Sequence, residues 1–356
     1  MNKLSIIIGA DICPTDENIN LFERGDVESL VGKRILHVLQ EVDIRIFNLE
    51  CPLTDDETPI QKAGPNLRAK TTAINGIKAL NPSLLTLANN HVFDHGEKGL
   101  TSTINILNQN KISFIGVDSN EFIFDKKEIK IGVYACAEHE FNIESTYFDP
   151  LETPDKIKEL KQKCDYVIVL YHGAKENYRY PSPLLQKRFR KMAEKGANLV
   201  VAQHTHCVGC YEKYQNSTLV YGQGNFIFNK CNNEYWDSSL LIKVNFSKND
   251  FSVEYIPISK NNDEKQVLLD FEKRSLQIND PEFIQNEYKI FSGKMMGSYL
   301  DIIHGNTYFH KIFRKIFNIN ISKWFYSRKK LLHIQNIIEC EAHRELFLTA
   351  LNHKTK

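Results

Sequence analysis

Residues 164–206 read CDYVIVLYHGAKENYRYPSPLLQKRFRKMAEKGANLVVAQHTH. Tyr166–Leu170 is a short apolar run rich in β-branched residues, the pattern of a buried strand. Pro183–Gly196 then carries apolar residues at helical spacing and closes on Gly196, a C-cap residue. Leu199–Val201 is a second strand-like run. Strand alternating with helix is the signature of α/β architecture. Each strand here ends in imidazoles, His172 after the first and His204-Thr205-His206 after the second.

The pattern repeats outward from this stretch. Further strand-like runs are LSIIIGAD, VDIRIFNLE, SLLTLANNH, ISFIGV, IKIGVYAC, STLVYGQGNF, SLLIKVNF and FSVEYIPI. Helical spacing recurs in Asp26–Gln40, Thr71–Leu80, Gly99–Asn108 and Pro154–Lys163. The strands between about 218 and 258 follow one another without helices, so part of the sheet system is expected to be antiparallel. Beyond residue 260 the sequence reads as mostly helical, which divides the chain into a domain over 1–260 and a helical extension over 261–356.

Composition bounds the function. The chain has 356 residues, with Lys plus Arg 45 against Asp plus Glu 44, a net charge of +1. At 42% hydrophobic and 25% charged it is an ordinary globular sequence, which excludes disordered, collagenous and coiled-coil classes. The balanced charge argues against nucleic acid as a partner. Ile6-Ile7-Ile8 reads as a first strand, too short for the apolar core of a secretion signal. Eight scattered cysteines are then expected as reduced thiols, and the chain is expected in the cytoplasm. Cys207-Val208-Gly209-Cys210 lacks a second pair and reads as packing.

The conspicuous polar residues sit at the carboxyl ends of the strand-like runs: Asp11, Asn48, Glu50, Asn89, Asn90, His91, Asp94, His172, His204, His206 and Asn225. That edge of an α/β sheet is where ligand sites form. Singly, each has an ordinary reading: Asp11 as a turn residue, Glu50 as an exposed carboxylate, Asn89-Asn90 as capping amides. In extended backbone His204 and His206 share a face, which favours metal binding over a surface pair. Together, these carboxylates, amides and imidazoles match the mixed ligands of Zn, Mn or Fe. A bridging carboxylate would hold two ions about 3.5–4 Å apart. Arg68, Lys70 and Lys175 are candidates for steadying an anion, Arg68 through its bidentate fork, although for each a solvated surface side chain is the commoner reading.

The motifs GADI (9–12), NLECPLT (48–54), LANNHVFDHGEKGL (87–100), HG with a downstream Pro (172–181), QHTH (203–206) and YGQGNFIF (221–228) occur in that order. Over about residues 4–258 the chain resembles the CapA poly-γ-glutamate capsule synthesis family, within the calcineurin-like metallophosphatase superfamily. The resemblance implies a four-layer α/β/β/α sandwich with two divalent metal ions. It implies Asp11 and His206 on one ion, Glu50 between the ions, and Asn90, His172 and His204 on the second. His91 resembles the histidine that protonates the leaving oxygen, with Asp94 orienting it. Asn225 takes a loop-holding or substrate-contacting role. Two departures stand out. Asp11-Ile12-Cys13 replaces the superfamily's Asp-x-His, and Ala174-Lys175-Glu176 lacks the family's tryptophan after the metal-binding histidine.

Two functions follow from different classes. One is a metal-dependent, phosphoesterase-like hydrolase acting on an anionic small molecule or polymer, linked to capsule or surface-polymer synthesis. The other is a non-catalytic scaffold in a capsule-polymer assembly. In the extension, His310–Lys330 carries seven basic residues and no acid, with Phe313, Ile316, Phe317, Trp324 and Phe325 interleaved. Two readings stay open there: an apolar stripe packed onto the catalytic domain, or a contact with a membrane surface or membrane protein.

Overall fold

The computed structural model describes residues 3–141, 143–228, 233–261, 263–304 and 327–354. Strand β1 (Leu4–Ile12) lies at the centre of a seven-stranded sheet. β2 (Ile44–Leu49), β3 (Leu84–Thr86) and β4 (Phe114–Ile115) extend it on one side in parallel. β12 (Ser238–Phe246) and β13 (Phe251–Ser259) extend it on the other in antiparallel, and β11 (Asn225–Ile227) pairs with the end of β1. The second sheet has six strands. β5 (Glu121–Lys126) and β6 (Ile129–Ala137) form a hairpin, then β7 (Tyr166–His172) and β8 (Leu199–Gln203) run parallel. β10 (Ser217–Val220) and β9 (Tyr211–Tyr214) complete it.

Alternation along the strands explains the layering. Ile6 and Ile8 of β1 face an inner core with Ile44 and Ile46, which meets Ile131, Val133, Ile168, Leu170 and Val201 of the second sheet. Ile7, Phe47 and Leu85 face outward onto α1 (Ile19–Arg24), α2 (Val27–Gln40), α3 (Ile74–Ala79) and α4 (Gly96–Gln109). Val167, Val169 and Val200 face outward beneath α5 (Glu152–Lys163) and α6 (Pro183–Glu194). Strands covered on both faces need unbroken apolar runs, hence Ile6-Ile7-Ile8 and Tyr166–Leu170. The order is helices, sheet, sheet, helices: a four-layer α/β/β/α sandwich.

After β13 come α7 (Glu264–Ser275), α8 (Pro281–His304), α9 (Arg328–Glu339) and α10 (Glu341–Lys354). Tyr288, Tyr299, Ile337 and Leu346 of the last three form a separate apolar cluster with Tyr178. The aromatic stretch 310–325 lies outside the described residues. Among the described residues no helix is long and apolar enough to cross a membrane.

Two differences from the sequence reading are local. Strand β5 went unrecognised, because its turn at Lys127-Glu128 (φ 52° and 63°) lacks the Asn-Gly that usually marks such a turn. The run 83–91 keeps only three strand residues, Leu84–Thr86. Beyond Thr86 the chain leaves the sheet and carries Asn89–Asp94 over the carboxyl edge.

Candidate metal centre

Parallel pairing sets the site. β1 and β2 align Asp11 with Asn48, β1 and β11 align Asp11 with Asn225, and β7 and β8 align His172 with Gln203. The carboxyl ends of both sheets thereby meet at one place. Asp11, Glu50, Asn90, His172, His204 and His206 are all buried there. Ligand atoms of Asp11, Glu50 and His172 lie within 4.8 Å of one another, as do those of Glu50, His204 and His206. Glu50 is common to both groups.

The hydrogen bonds show which atoms are committed. Asn48 Nδ2 donates to Asp11 Oδ1 at 2.8 Å and lies 3.3 Å from His172 Nδ1. Asn89 Nδ2 donates to Asn48 Oδ1 at 3.0 Å, while Asn89 Oδ1 accepts from the His91 and Val92 amides. His172 Nε2 lies 2.9 Å from Asn90 Oδ1 and 3.5 Å from Glu50 Oε1. His206 Nδ1 lies 2.8 Å from Asn225 Oδ1, so Asn225 buttresses an imidazole from the first position of β11. Both carboxylate oxygens of Glu50 and Nδ1 of His204 are buried without a hydrogen-bond partner among the described residues. Unpaired buried carboxylate oxygens are costly. A divalent cation satisfies them, and the nitrogen and oxygen donors suit one.

Electrostatics agrees. Burial pushes His172 and His204 down to about 4, so both are neutral with a lone pair free near pH 7. Burial, reinforced by Glu50, pushes Asp11 up to about 7. Burial opposes the His206 cation, but Glu50, Glu176 and Asp11 outweigh it and hold its pKa above the ordinary value. Burial together with carboxylates at close range has this signature.

The backbone at the paired histidines differs from expectation. The extended geometry expected for 204–206 is absent. His204 (φ 79°) and His206 (φ 53°) sit in the left-handed region within a bend after β8. Such conformations cost on the order of 1–3 kcal/mol each and persist where the surroundings enforce them. Gly222 (φ 132°) abuts this bend, and a Cβ there would meet Thr205 Oγ1 at 2.7 Å. The imidazoles still converge, by strain rather than by strand periodicity.

His91 and Asp94 lie beside the centre. Asp94 Oδ2 is 2.6 Å from His91 Nδ1 and accepts from the Leu67 amide at 2.6 Å. Lys62 pairs with Asp94 Oδ1 and is 3.2 Å from His91 Nδ1. Arg68 pairs with Glu57 and donates to the carbonyls of Thr54 and Asp55. Lys70 is 4.0 Å from Glu23.

Sequence reasoning missed Lys62, Glu140 and Glu176. Glu140 and Glu176 lie 3.6 and 3.9 Å from His204 Nε2. Glu140 follows β6, so the strand-end rule that found Asp11 and His172 would have found it. Lys62 sits in a loop with no local signal.

Comparison with known proteins comes to the same family. The model of the bacterial capsule synthesis protein PGA_cap matches residues 5–230. The capsule biosynthesis protein CapA of Bacillus anthracis is 27% identical over 234 residues, 59% of this chain and 56% of that protein. The PGA biosynthesis protein CapA of Bacillus subtilis (strain 168) is 25% identical over 221 residues, 57% of each. The chain thus spans a little over half the length of these curated relatives. Similar solved structures include a novel phosphatase from Mycoplasma pneumoniae, at 14% identity and TM-score 0.47, covering 73% of this chain and 94% of that one. Another is a putative 5'-nucleotidase from Staphylococcus aureus, at 16% identity and TM-score 0.47, covering 76% and 58%.

Proposed function

The chain belongs to the bacterial capsule synthesis protein family, and on that premise we propose that it is a metal-dependent hydrolase. Its substrate is a phosphoester-like anion, a small molecule or a polymer, within the synthesis of a capsule or other surface polymer of the poly-γ-glutamate type. The observation that carries this reading is Glu50, whose two buried oxygens are unpartnered at the meeting point of Asp11, His172, His204 and His206.

Asp11 and His206 would hold one divalent cation, Asn90, His172 and His204 a second, with Glu50 shared. Such ions, when bound, polarise an oxyanionic substrate and acidify water. The chain's own residues do the rest. Asn48 holds Asp11, and Asn225 holds His206. Asp94 engages Nδ1 of His91, which leaves Nε2 to carry a proton to the departing oxygen. Lys62 neutralises Asp94, so the pair sits in the buried wall without a net charge.

The test is metal analysis of purified protein, with turnover of p-nitrophenyl phosphate and bis-p-nitrophenyl phosphate under excess Mn²⁺ or Zn²⁺. Bound cations with turnover that a chelator abolishes support the reading. Bound cations without turnover of any phosphoester would instead favour the non-catalytic scaffold.

A further inference from the structure

Glu140 joins the centre to the end of the chain. Its Oε2 accepts from Asn90 Nδ2 at 3.2 Å and lies 3.6 Å from His204 Nε2. Its Oε1 accepts from Asn336 Nδ2 at 3.1 Å and lies 3.5 Å from His343 Nε2. Asn336 is on α9 and His343 on α10, both beyond the stretch that matches the family model. His343 is itself held, with Nδ1 2.6 Å from the Tyr299 hydroxyl of α8. One carboxylate therefore faces two residues of the centre with one oxygen and two residues of the C-terminal helices with the other.

We propose that the C-terminal helices position the metal ligands: Asn336 and His343 hold Glu140, and Glu140 sets the orientation of His204 and Asn90. This rests on the metal centre proposed above. An imidazole ligand whose remote N–H is held by a carboxylate has its tautomer and ring orientation fixed, and it becomes more basic. At His204 the remote nitrogen is Nε2. The nitrogen left over is Nδ1, the buried atom with no partner. At Asn90 the amide NH₂ is committed to Glu140, which turns Oδ1 toward His172 Nε2 and into the centre. Both donors point inward with their other ends toward the same carboxylate, Asn90 through a hydrogen bond and His204 Nε2 facing the same oxygen at 3.6 Å. Glu176, at 3.9 Å from His204 Nε2 and with its side chain 43% exposed, has no comparable anchor among the described residues. Glu140, Cys340 and His343 also lie within 4.8 Å of one another, but Glu140 already serves both sides of the junction.

The experiment uses the full chain freed of metal by chelation. Zn²⁺ affinity is measured by competition with a chromophoric chelator, and Co²⁺ loading by its visible absorption bands. Outer partners of this kind typically change metal affinity 10–100-fold. Glu140→Ala is expected to weaken Zn²⁺ binding by that factor and to shift the Co²⁺ bands. Asn336→Ala/His343→Ala is expected to weaken binding in the same direction, by about tenfold. Glu140→Gln keeps an acceptor for His204 and should lie closer to the parent, and Glu254→Gln, exposed on β13, should leave affinity within about twofold. If the double variant does not fold by circular dichroism, His343→Gln carries the test. A folded variant that binds Zn²⁺ like the parent, with unchanged Co²⁺ bands, overturns the linkage while leaving the metal centre standing. Loss of only an additional, independent cation also overturns it, since Glu140, Cys340 and His343 would then be a separate site. A parent protein that takes up no cation overturns both readings.

Discussion

Replacing Lys62 with methionine isolates the charge balance behind His91. Lys62 and Asp94 have side chains 3% and 0% exposed, and they pair directly. The methionine keeps the apolar stem and removes the ammonium, its contact to the Asn90 carbonyl at 3.2 Å included. Removing one partner of a buried ion pair costs about 3–5 kcal/mol, because the other charge is left uncompensated. Asp94 still accepts from the Leu67 amide and still faces His91, so the lower end, about 3 kcal/mol, is expected here. At about 2.1 cal/mol/K per residue of unfolding entropy, a chain of this length would lose about 4 °C in Tm. Urea unfolding in excess chelator reads the effect without interference from bound metal. Asp94→Asn strands the ammonium instead, and Lys62→Met/Asp94→Asn removes both charges. The double variant should be more stable than the sum of the singles predicts, by about 2–3 kcal/mol. Strict additivity, or a Lys62→Met midpoint equal to the parent's, would show that the two groups do not depend on each other.

Three further outcomes are expected. His206→Ala should lower the cation content of dialysed protein, read by mass spectrometry, and parent-like content would remove His206 from the ligand set. His91→Ala should keep its cations yet turn over bis-p-nitrophenyl phosphate about 10²–10⁴-fold more slowly, the usual contribution of a general acid; loss of metal would instead make His91 a ligand. Glu138 is pushed by burial from 4.5 up to about 7, against the opposing Arg188. With the folded value raised, the stability it contributes is complete below about pH 4.5 and is lost as pH rises through about 7, an effect on the order of 3 kcal/mol. Unfolding free energies in chelator from pH 4.5 to 8 should therefore fall more steeply for the parent than for Glu138→Gln, and equal slopes would count against it.

Strands covered on both faces were legible because burial on both sides leaves little room for polar residues, and runs such as Tyr166–Leu170, short and rich in β-branched residues, read as strands. The hairpin strand β5 was not, since only Phe124 of its six residues is buried. Its turn uses Lys127 and Glu128 in a conformation usually left to glycine or asparagine. The polar residues at the strand ends were legible for the converse reason. Asp11 or His172 immediately after an apolar run must lie at the sheet edge, whatever the loops do.

What the sequence concealed about the site is what long-range packing supplies. The His204–His206 pair converges through two left-handed residues, and no periodicity forecasts strain of that kind. Lys62 meets Asp94 across 32 residues, and Glu140 meets Asn336 across 196. Neither contact has a local signature, because Lys62 lies in a segment that reads as loop and Asn336 in one that reads as ordinary helix, whatever signal Asp94 and Glu140 carry. The candidate ligands could be recognised one strand end at a time, since each lies at or just beyond the end of a strand. The groups that orient them are placed by the fold as a whole. For that reason the extension, which carried no recognisable motif, supplies Asn336 and His343 beside the Glu140 carboxylate, opposite Asn90 and His204.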